Sequence, residues 1–327
     1  MAASHNRTKF KDLSNTGFGA NSSVEGGRLV NADGSNNLRK TGLPFYERIS
    51  IYHSLLRMNR MKFMMAIMTF YTAINLFFAV IYFMIGVDHL QGIDVHAPLY
   101  IRFLNAFFFS SQTLTTVGYG HVAPSGILTN FVASTESLMG ILAFAVVTGL
   151  IYGRFSRPRA YILFSNNLIV APHKGGKALM ARIATYKNNH LTDAEAQLTV
   201  ALHVNENGKM ITRFYQLPLE ISKVTSLALS WTLVHPINED SPIANFTDDQ
   251  LREAKMEVIL GIKAFDDHFS NTVQQRTSYS HQQLVYGAKF EPMFERSPEG
   301  NYTLLELDKI SHHIRVPLEE QVVASQN

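Results

Sequence analysis

The 327-residue chain contains no cysteine, which excludes disulfide bonds, thiolate metal sites and cysteine nucleophiles. It has no G-x-S-x-G nucleophile motif, and its C-terminal half has no Gly-rich phosphate loop of the dinucleotide-binding type. Histidine is more frequent, but the adjacent pair His312-His313 has no acidic or cysteine companion at metal-ligand spacing. We therefore expect neither an enzyme nor a protein with a bound cofactor or resident metal.

Charged residues make up only 17% of the sequence, and two long stretches nearly lack them. Phe63 to Val87 contains none, and Ile127 to Gly153 contains only Glu136. Each stretch exceeds the about 20 apolar residues needed to cross a hydrocarbon core about 30 Å thick. The sequence therefore predicts two membrane-spanning helices. The residues before Asn37 lack an apolar run, so we expect no cleavable signal peptide and an insertion signal in the first span.

Basic residues flank the predicted spans on one side only. They precede the first span and follow the second, whereas Arg102 is the only Lys or Arg in the connection between the spans. The positive-inside rule therefore predicts that both termini are cytoplasmic, in an inner-membrane protein. The net charge of +3 is mild and its cations lie beside the membrane, so acidic lipid head groups are expected partners and nucleic acid is not.

The connection between the spans contains the pentapeptide Thr116-Val117-Gly118-Tyr119-Gly120. This pentapeptide is an established signature of potassium filters, in which main-chain carbonyl groups replace the hydration shell of the ion. We expect K⁺, the transported ion, to be coordinated by the carbonyls of Thr116, Val117, Gly118 and Tyr119 and by the Thr116 hydroxyl. Gly118 and Gly120 would supply backbone conformations barred to residues with a Cβ atom. Because one chain supplies a quarter of each ion site, the chemistry requires an oligomer.

Two helices are predicted beside these features. Ile101 to Leu114 carries aromatic bulk and ends in polar residues, as expected of a pore helix whose negative C-terminal end faces the ion path. Ser50 to Met61 has an apolar face and a basic face, which favours a helix lying in the head-group interface. The alternative is that this segment simply extends the first span into the cytosol.

The pattern changes to a period of two residues after Pro158. Leu198 to Val204 alternates as a half-buried strand does, and Asn207-Gly208 follows as a hairpin signal. Thr247 and Gln250 predict the capped start of one short helix. Further strand-like runs are 161–165, 178–183, 227–234, 257–265 and 284–290. Many short strands favour a β-sandwich.

The sequence thus predicts an α+β membrane protein with four segments. They are a mobile tail at 1–27, a cytoplasmic strand and interfacial helix at 28–61, a transmembrane pore domain at 62–157, and a cytoplasmic β-sandwich with a C-terminal tail at 158–327. The strand of the second segment is expected from Arg28 to Gly34, where the chain enters a turn.

These features resemble the prokaryotic inward-rectifier potassium channels, the KirBac family, from about Arg28 to Phe294. The resemblance rests on ordered motifs: Arg28 to Gly34, Ala106 to Ser110, Gly153 to Pro158, Ser230 to Ile237, Asp240 to Pro242, Arg276 to Tyr279 and Tyr286 to Phe290. It implies a homotetramer with one central pore. It also implies two transmembrane helices and a pore helix in each subunit, an interfacial slide helix, and a cytoplasmic immunoglobulin-like β-sandwich that extends the pore.

The chain departs from this family pattern beside the filter. Many relatives carry a glutamate behind the filter, paired with an arginine just beyond it. Here Gln112 occupies the first place, and His121-Val122 follows Gly120 without an arginine. We therefore expect neutral hydrogen bonds, with Gln112 and Thr115 as supporting residues, to hold the filter.

The resemblance places a gate on the second span. Phe144 falls where strongly rectifying relatives carry an acid, and Tyr152 falls at the bundle crossing, with Thr148 between them as a pore-lining residue. These side chains would block ions by dewetting, or alternatively only pack between helices. Gly140 and Gly149 are candidate hinges, although Gly140 would equally suit close helix packing.

Two further roles are left open by the sequence. Glu136 is the only acid in either span and would bind ions directly or hydrogen-bond to the pore helix. The basic cluster would hold anionic lipid or phosphoinositide head groups, or only anchor the topology. Its members are Arg57, Arg60, Lys62, Arg154 and Arg157.

The function that these residues predict is potassium-selective passive conduction of the inward-rectifier type, gated at the inner helices and coupled to the cytoplasmic domain. Three alternatives stay open: a similar pore gated by a soluble ligand, a membrane-tethered binding module that conducts little, and a non-selective cation pore. An apolar Phe144 predicts weak block by internal magnesium or polyamines.

Overall fold

The computed structural model describes residues 28–39, 41–42, 44, 50–206 and 208–318. The chain divides into two compact units. One is Thr41–Arg157, and the other joins residues up to Lys40 to the chain from Pro158 onward. The predicted tail at 1–27 and Asn207 of the hairpin signal lie outside the described residues.

The described residues of the unit Thr41–Arg157 include four α-helices and one short antiparallel strand pair. In chain order these elements are α1 Ile51–Arg57, α2 Arg60–Ile85, β1 Leu90–Gln91, α3 Leu99–Leu114, β2 Ala123–Pro124 and α4 Ile127–Phe155. Within the described residues, α2 and α4 are the two helices long and apolar enough to cross a membrane, which confirms the two predicted spans. Helix α3 coincides closely with the predicted pore helix.

The amphipathic segment predicted as one helix from Ser50 to Met61 is broken near its end. Helix α1 stops at Arg57, and Met58 is extended with ψ 147°. Asn59 then caps α2, because its side-chain oxygen accepts a hydrogen bond from the Met61 amide at 3.3 Å. This asparagine cap starts a new helix where apolar periodicity alone predicted a continuous one.

Aromatic packing holds α3 between the two long helices. The rings of Tyr82 on α2 and Phe109 on α3 meet edge to face with centroids 5.0 Å apart. Phe78, Ala106 and Ala133 complete the same buried cluster. Apolar contacts therefore pack the middle of the pore helix against α2 and α4.

The second unit is a β-sandwich, and its described residues include one short α-helix, α5 Asp248–Glu253. Its strands are β3 Ile162–Phe164, β4 Leu168–His173, β5 Gly176–Thr185, β6 Leu191–Glu206, β7 Lys209–Leu217, β8 Lys223–Ser226, β9 Ser230–Ile237, β10 Glu257–Asp266, β11 Asn271–Ser280, β12 Leu284–Tyr286, β13 Ala288–Phe290, β14 Phe294–Arg296, β15 Thr303–Leu305 and β16 His313–Arg315.

Two five-stranded sheets form this sandwich. One has the order β11-β10-β6-β7 with β8 also paired to β6, and the other has the order β12-β4-β5-β3 with β9 also paired to β5. Their facing apolar side chains form the main core, including Leu198, Val200, Leu233, Val258 and Leu260. The predicted β-sandwich is thus observed, with β12 and β4 as a parallel pair.

Several local predictions in this half are confirmed by the backbone. β6 and β7 pair to their ends at Glu206 and Lys209, so the turn occupies the predicted position, and Gly208 has a φ of +80°. Thr247 and Gln250 form the predicted capping box of α5. The predicted run at 284–290 is instead two strands, because Gly287 with a φ of +61° redirects the chain between β12 and β13.

Residues 28–37, here called the N-terminal strap, dock on the β-sandwich unit. The Glu257 carboxylate accepts hydrogen bonds from the Leu29 and Val30 amides at 2.7 and 3.0 Å. The Ser278 hydroxyl donates to the Val30 carbonyl, and Arg276 Nε donates to the Gly34 carbonyl at 2.8 Å. The predicted strand is reduced to a single bridge between Val30 and Asn36, because β-sandwich side chains take most of its main-chain hydrogen bonds.

Candidate functional site

The pentapeptide Thr116–Gly120 leaves the C-terminal end of α3 as a turn and then runs free of regular structure. The Gln112 carbonyl accepts hydrogen bonds from the amides of Val117 and Gly118 at 2.9 and 3.3 Å. Gln112 therefore supports the start of the pentapeptide through its main chain, which is a more direct role than the side-chain brace that its position suggested.

Thr115 closes the last turn of the pore helix. Its hydroxyl donates to the Ser111 carbonyl at 2.7 Å, and its amide donates to the same carbonyl at 3.2 Å. Carbonyls at a helix C-terminus lack helical partners, so these bonds satisfy one of them. Both residues expected to support the filter thus lie in the turn from which the pentapeptide departs.

The backbone of the pentapeptide alternates in sign of φ. Thr116, Gly118 and Gly120 have φ values of +58°, +50° and +78°, whereas Val117 and Tyr119 are not among the residues of positive φ. A β-branched threonine rarely adopts a positive φ, so Thr116 is held in a strained conformation that the sequence did not reveal. Alternation between left- and right-handed backbone conformations is the pattern that turns successive N–H groups toward one edge of a segment and the carbonyl groups toward the other.

One side of this segment is open within the subunit. Val117 and Tyr119 are 53% and 79% exposed. A Cβ atom built on Gly118 or Gly120 would meet no other atom within 4 Å. The residues Val117 to Gly120 are therefore accessible from outside the single chain on this side.

Glu136 lies between α2 and α3, since its carboxyl group contacts a residue of each helix. It is fully buried, and its carboxyl oxygens accept hydrogen bonds from the Ser110 hydroxyl at 2.5 Å and the Tyr82 hydroxyl at 2.6 Å. Asn75, also fully buried, places its side-chain oxygen 3.2 Å from Ser110 Oγ and donates to the Tyr71 carbonyl. Of the two roles left open for Glu136, the structure shows hydrogen bonding to the pore helix.

The candidate gate residues occupy one row of α4. Phe144, Thr148 and Tyr152 follow each other at four-residue spacing, and all three are exposed within the subunit. The two candidate hinges differ sharply. A Cβ atom on Gly140 would lie 1.9 Å from the Leu114 carbonyl oxygen, whereas one on Gly149 would meet nothing within 4 Å. Gly140 is therefore required for close packing against the pore helix.

The basic cluster is divided by its contacts. Arg154 donates from Nη1 to the Leu55 carbonyl at 2.6 Å and from Nη2 to the Met58 carbonyl at 2.8 Å. Its guanidinium also lies over the Phe63 ring, 4.3 Å from the centroid. Arg154 thus ties the end of α1 to α4. Four members of the cluster are exposed, namely Arg57, Arg60, Lys62 and Arg157.

The sequence singles out Glu136 as the only acid in either span but does not identify its hydrogen-bond partners. Asn75, Tyr82 and Ser110 are polar residues inside apolar stretches, and this is the signal that would have found them. Among the described residues, no group of three or more His, Asp or Glu side chains is placed to hold a metal ion.

Comparison with known proteins assigns both halves of the chain. Residues 61–157 match the family model "Ion channel", and residues 162–327 match "Inward rectifier potassium channel C-terminal domain". The inward rectifier potassium channel Kirbac3.1 of Paramagnetospirillum magnetotacticum is 34% identical over 279 residues, which cover 85% of this chain and 92% of that protein.

Animal channels match with lower identity. ATP-sensitive inward rectifier potassium channel 12 of Gallus gallus is 28% identical over 67% of this chain and 55% of its own length. Inward rectifier potassium channel 18 of Homo sapiens is 28% identical over 72% of this chain and 58% of its own length. The chain therefore spans just over half of these animal relatives and nearly all of the bacterial one.

Proposed function

This chain belongs to the inward-rectifier potassium channel family, a family of membrane ion channels and not of enzymes, and we propose that it conducts K⁺ selectively through a filter formed by Thr116–Gly120. The observation that supports the proposal is the alternation in the sign of φ along this segment, with positive values at Thr116, Gly118 and Gly120, a pattern that would turn the carbonyl oxygens toward one edge. Carbonyls arranged in this way replace the hydration shell of K⁺.

The proposed assembly is a homotetramer around a central pore. Its support is the open side of the filter segment, where Val117 and Tyr119 are exposed and a Cβ atom built on Gly118 or Gly120 would meet nothing within 4 Å. In a membrane, carbonyl groups on such a side would need partners from neighbouring copies or from the ion. Four copies surrounding the ion would complete each site. In this assembly residues 62–157 form the pore domain, and residues 28–61 and 158–327 lie in the cytoplasm. Both termini are then cytoplasmic, and the channel lies in the inner membrane of the cell.

The proposed gate is the row Phe144, Thr148 and Tyr152 on α4. Exposed aromatic side chains in such a row would form apolar rings in a tetramer and would stop ions by dewetting. Replacing Tyr152 by alanine then increases K⁺ flux through assembled channels. Phe131→Ala, at an exposed aromatic residue near the start of α4, is the matched control and leaves flux unchanged.

Anionic lipids are the proposed modulators, bound by the exposed cations Arg57, Arg60, Lys62 and Arg157. This proposal is supported by the positions of the four cations, which are exposed at the ends of α1, α2 and α4, where basic side chains beside a membrane attract anionic head groups. Neutralising all four should remove the difference in flux between anionic and neutral liposomes. Arg102→Gln, at a cation between the spans, is the control. An unchanged lipid response in the neutralised channel would refute lipid modulation.

The decisive experiment is cation uptake into liposomes containing the purified protein, with K⁺ compared with Na⁺ and Ba²⁺ added as blocker. Potassium-selective uptake that Ba²⁺ blocks is expected, and Gly118→Ala should abolish it because a Cβ at this positive φ is strained. Equal uptake of both ions would refute selectivity. Absence of uptake in both the wild type and Tyr152→Ala, with intact oligomers, would favour the binding-module alternative.

A further inference from the structure

A seam of contacts runs between α4 and the last turns of the pore helix α3. Glu136 accepts from the Ser110 hydroxyl, and Ser137 Oγ donates to the Thr113 carbonyl at 3.4 Å. Further along, the Gly140 backbone is so close to Leu114 that a Cβ atom would lie 1.9 Å from its carbonyl oxygen. These contacts join Glu136, Ser137 and Gly140 to the C-terminal part of α3, which ends at the turn from which the filter departs.

Polar contacts from α2 reach the same turns. Tyr71 and Ser111 share a hydrogen bond between their hydroxyls at 2.6 Å, and Asn75 lies within 3.2 Å of Ser110 Oγ. Tyr82 occupies the second carboxyl oxygen of Glu136. Glu136 is thus the group in which contacts from α2, α3 and α4 converge.

The consequence for the filter follows from the hydrogen bonds at its start. The Gln112 carbonyl holds the amides of Val117 and Gly118, and Gln112 lies only two residues after Ser110 on the same helix. A displacement of the last turns of α3 is therefore carried directly into the filter backbone. The carboxyl group that fixes Ser110 has no access to ions, because it is fully buried and both of its oxygens have hydrogen-bond donors.

We propose that Glu136 is a positioning residue for ion selectivity, acting through Ser110 from behind the pore helix. It performs the bracing that an ion pair beside the filter would otherwise supply, since this chain has Gln112 and His121-Val122 at those places. The inference rests on the proposed function, because positioning matters only if the segment Thr116–Gly120 conducts ions selectively.

The test compares the K⁺ to Na⁺ uptake ratio of assembled channels in four single variants and one double variant. Glu136→Leu removes both acceptors, Glu136→Gln keeps one acceptor, Ser110→Ala removes the contact on the pore helix, and Ser134→Ala is the control. Ser134 is an exposed residue of α4 whose hydroxyl bonds only within its own helix, to the Asn130 carbonyl at 2.9 Å.

Glu136→Leu and Ser110→Ala should each lower the uptake ratio by at least about tenfold, the equivalent of about 1.4 kcal/mol. Glu136→Gln should keep most of the wild-type selectivity, and Ser134→Ala all of it. Because the two residues act through one contact, the double variant Ser110→Ala/Glu136→Leu should lose about tenfold in the ratio, as each single variant does, and not about 100-fold. Conservative rescue and non-additivity in a selectivity ratio are not expected of a residue that only stabilises the fold.

Failures of the two proposals are distinguishable. A wild type without selectivity refutes the proposed function. A selective wild type with equally selective Glu136→Leu and Ser110→Ala channels refutes the positioning role. If Glu136→Leu does not assemble, Ser110→Ala decides alone, because it deletes one oxygen atom and leaves the buried carboxyl group bonded to Tyr82.

Discussion

Replacing Arg154 by alanine should release α1 from the C-terminal end of α4. Helix α1 has only seven residues and buries one side chain, Leu56, so it depends on contacts outside itself. Arg154 supplies three hydrogen bonds to main-chain carbonyls at the C-terminal end of α1, those of Leu55, Leu56 and Met58, at 2.6, 3.3 and 2.8 Å. It also stacks on Phe63.

The magnitude follows from these contacts. Hydrogen bonds to a charged group contribute about 1.5–3 kcal/mol each when partners stay buried, and a cation over an aromatic ring about 0.5–2 kcal/mol. Arg154 is only half-buried, so water replaces part of what is lost. We therefore expect a loss of about 3 kcal/mol, which raises the equilibrium constant for α1 detachment about 100-fold.

Hydrogen–deuterium exchange of the α1 amides in lipid bilayers measures this equilibrium directly. Arg154→Ala should reduce the protection of the Ile51–Arg57 amides about 100-fold. Arg154→Lys should give protection between that of the wild type and that of Arg154→Ala, because an ammonium group cannot span three carbonyls. Arg57→Ala is the control, since Arg57 is an exposed cation on α1 itself. Equal exchange in Arg154→Ala and Arg57→Ala would refute the reasoning.

Four other predictions follow from the described contacts. Gly140→Ala should lower the thermal stability of the assembled protein by overpacking worth about 1–3 kcal/mol, whereas Gly149→Ala should not, and equal melting temperatures would contradict the packing role of Gly140. Glu257→Ala should expose residues 28–37 to limited proteolysis because their two carboxylate-bound amides lose their acceptor, and unchanged cleavage kinetics would contradict this. Burial lowers the pKa of His235 below its usual range, so the unfolded state binds more protons as the pH falls below about 6.5 and stability is lost on acidification. His235→Gln should reduce the fall in melting temperature between about pH 7.5 and 5.5. The same fall in this variant as in the wild type would contradict the assignment of this pH dependence to His235. Phe144→Asp should convert weak spermine block of K⁺ flux into steep block, and steep block already present in the wild type would contradict the proposed pore lining.

The features that sequence predicted well are set by local patterns. The two spans are long uncharged runs, the α5 cap is a Thr–Gln spacing, and the β6–β7 turn is marked by Gly208. Each of these depends on residues within a few positions of each other. Strand β11 was not predicted because its sequence, Asn271–Ser280, is mostly polar and gains its place by pairing with β10 along its whole length.

In the candidate site too, features set by adjacent residues are predictable from the sequence and long-range contacts are not. The filter segment is recognised from five adjacent residues, and its function stays a prediction until ion flux is measured. The contacts of Arg154 and Glu257 were not predictable, because the carbonyls and amides that they bind carry no sequence signature and lie far away along the chain. Gly140 could be assigned to packing only once the Leu114 carbonyl was seen against it.

The N-terminal strap has a consequence for the order of events during biosynthesis. Leu29 and Glu257 are separated by 228 positions, and the other strap partners at 276–278 come later still. Both apolar helices, Arg60–Ile85 and Ile127–Phe155, therefore leave the ribosome before the strap has anything to bind. The strap can therefore complete its docking only after β11 has been synthesised. A chain interrupted before Glu257 would hold two inserted helices and an undocked strap, a state that proteases can distinguish from the finished subunit.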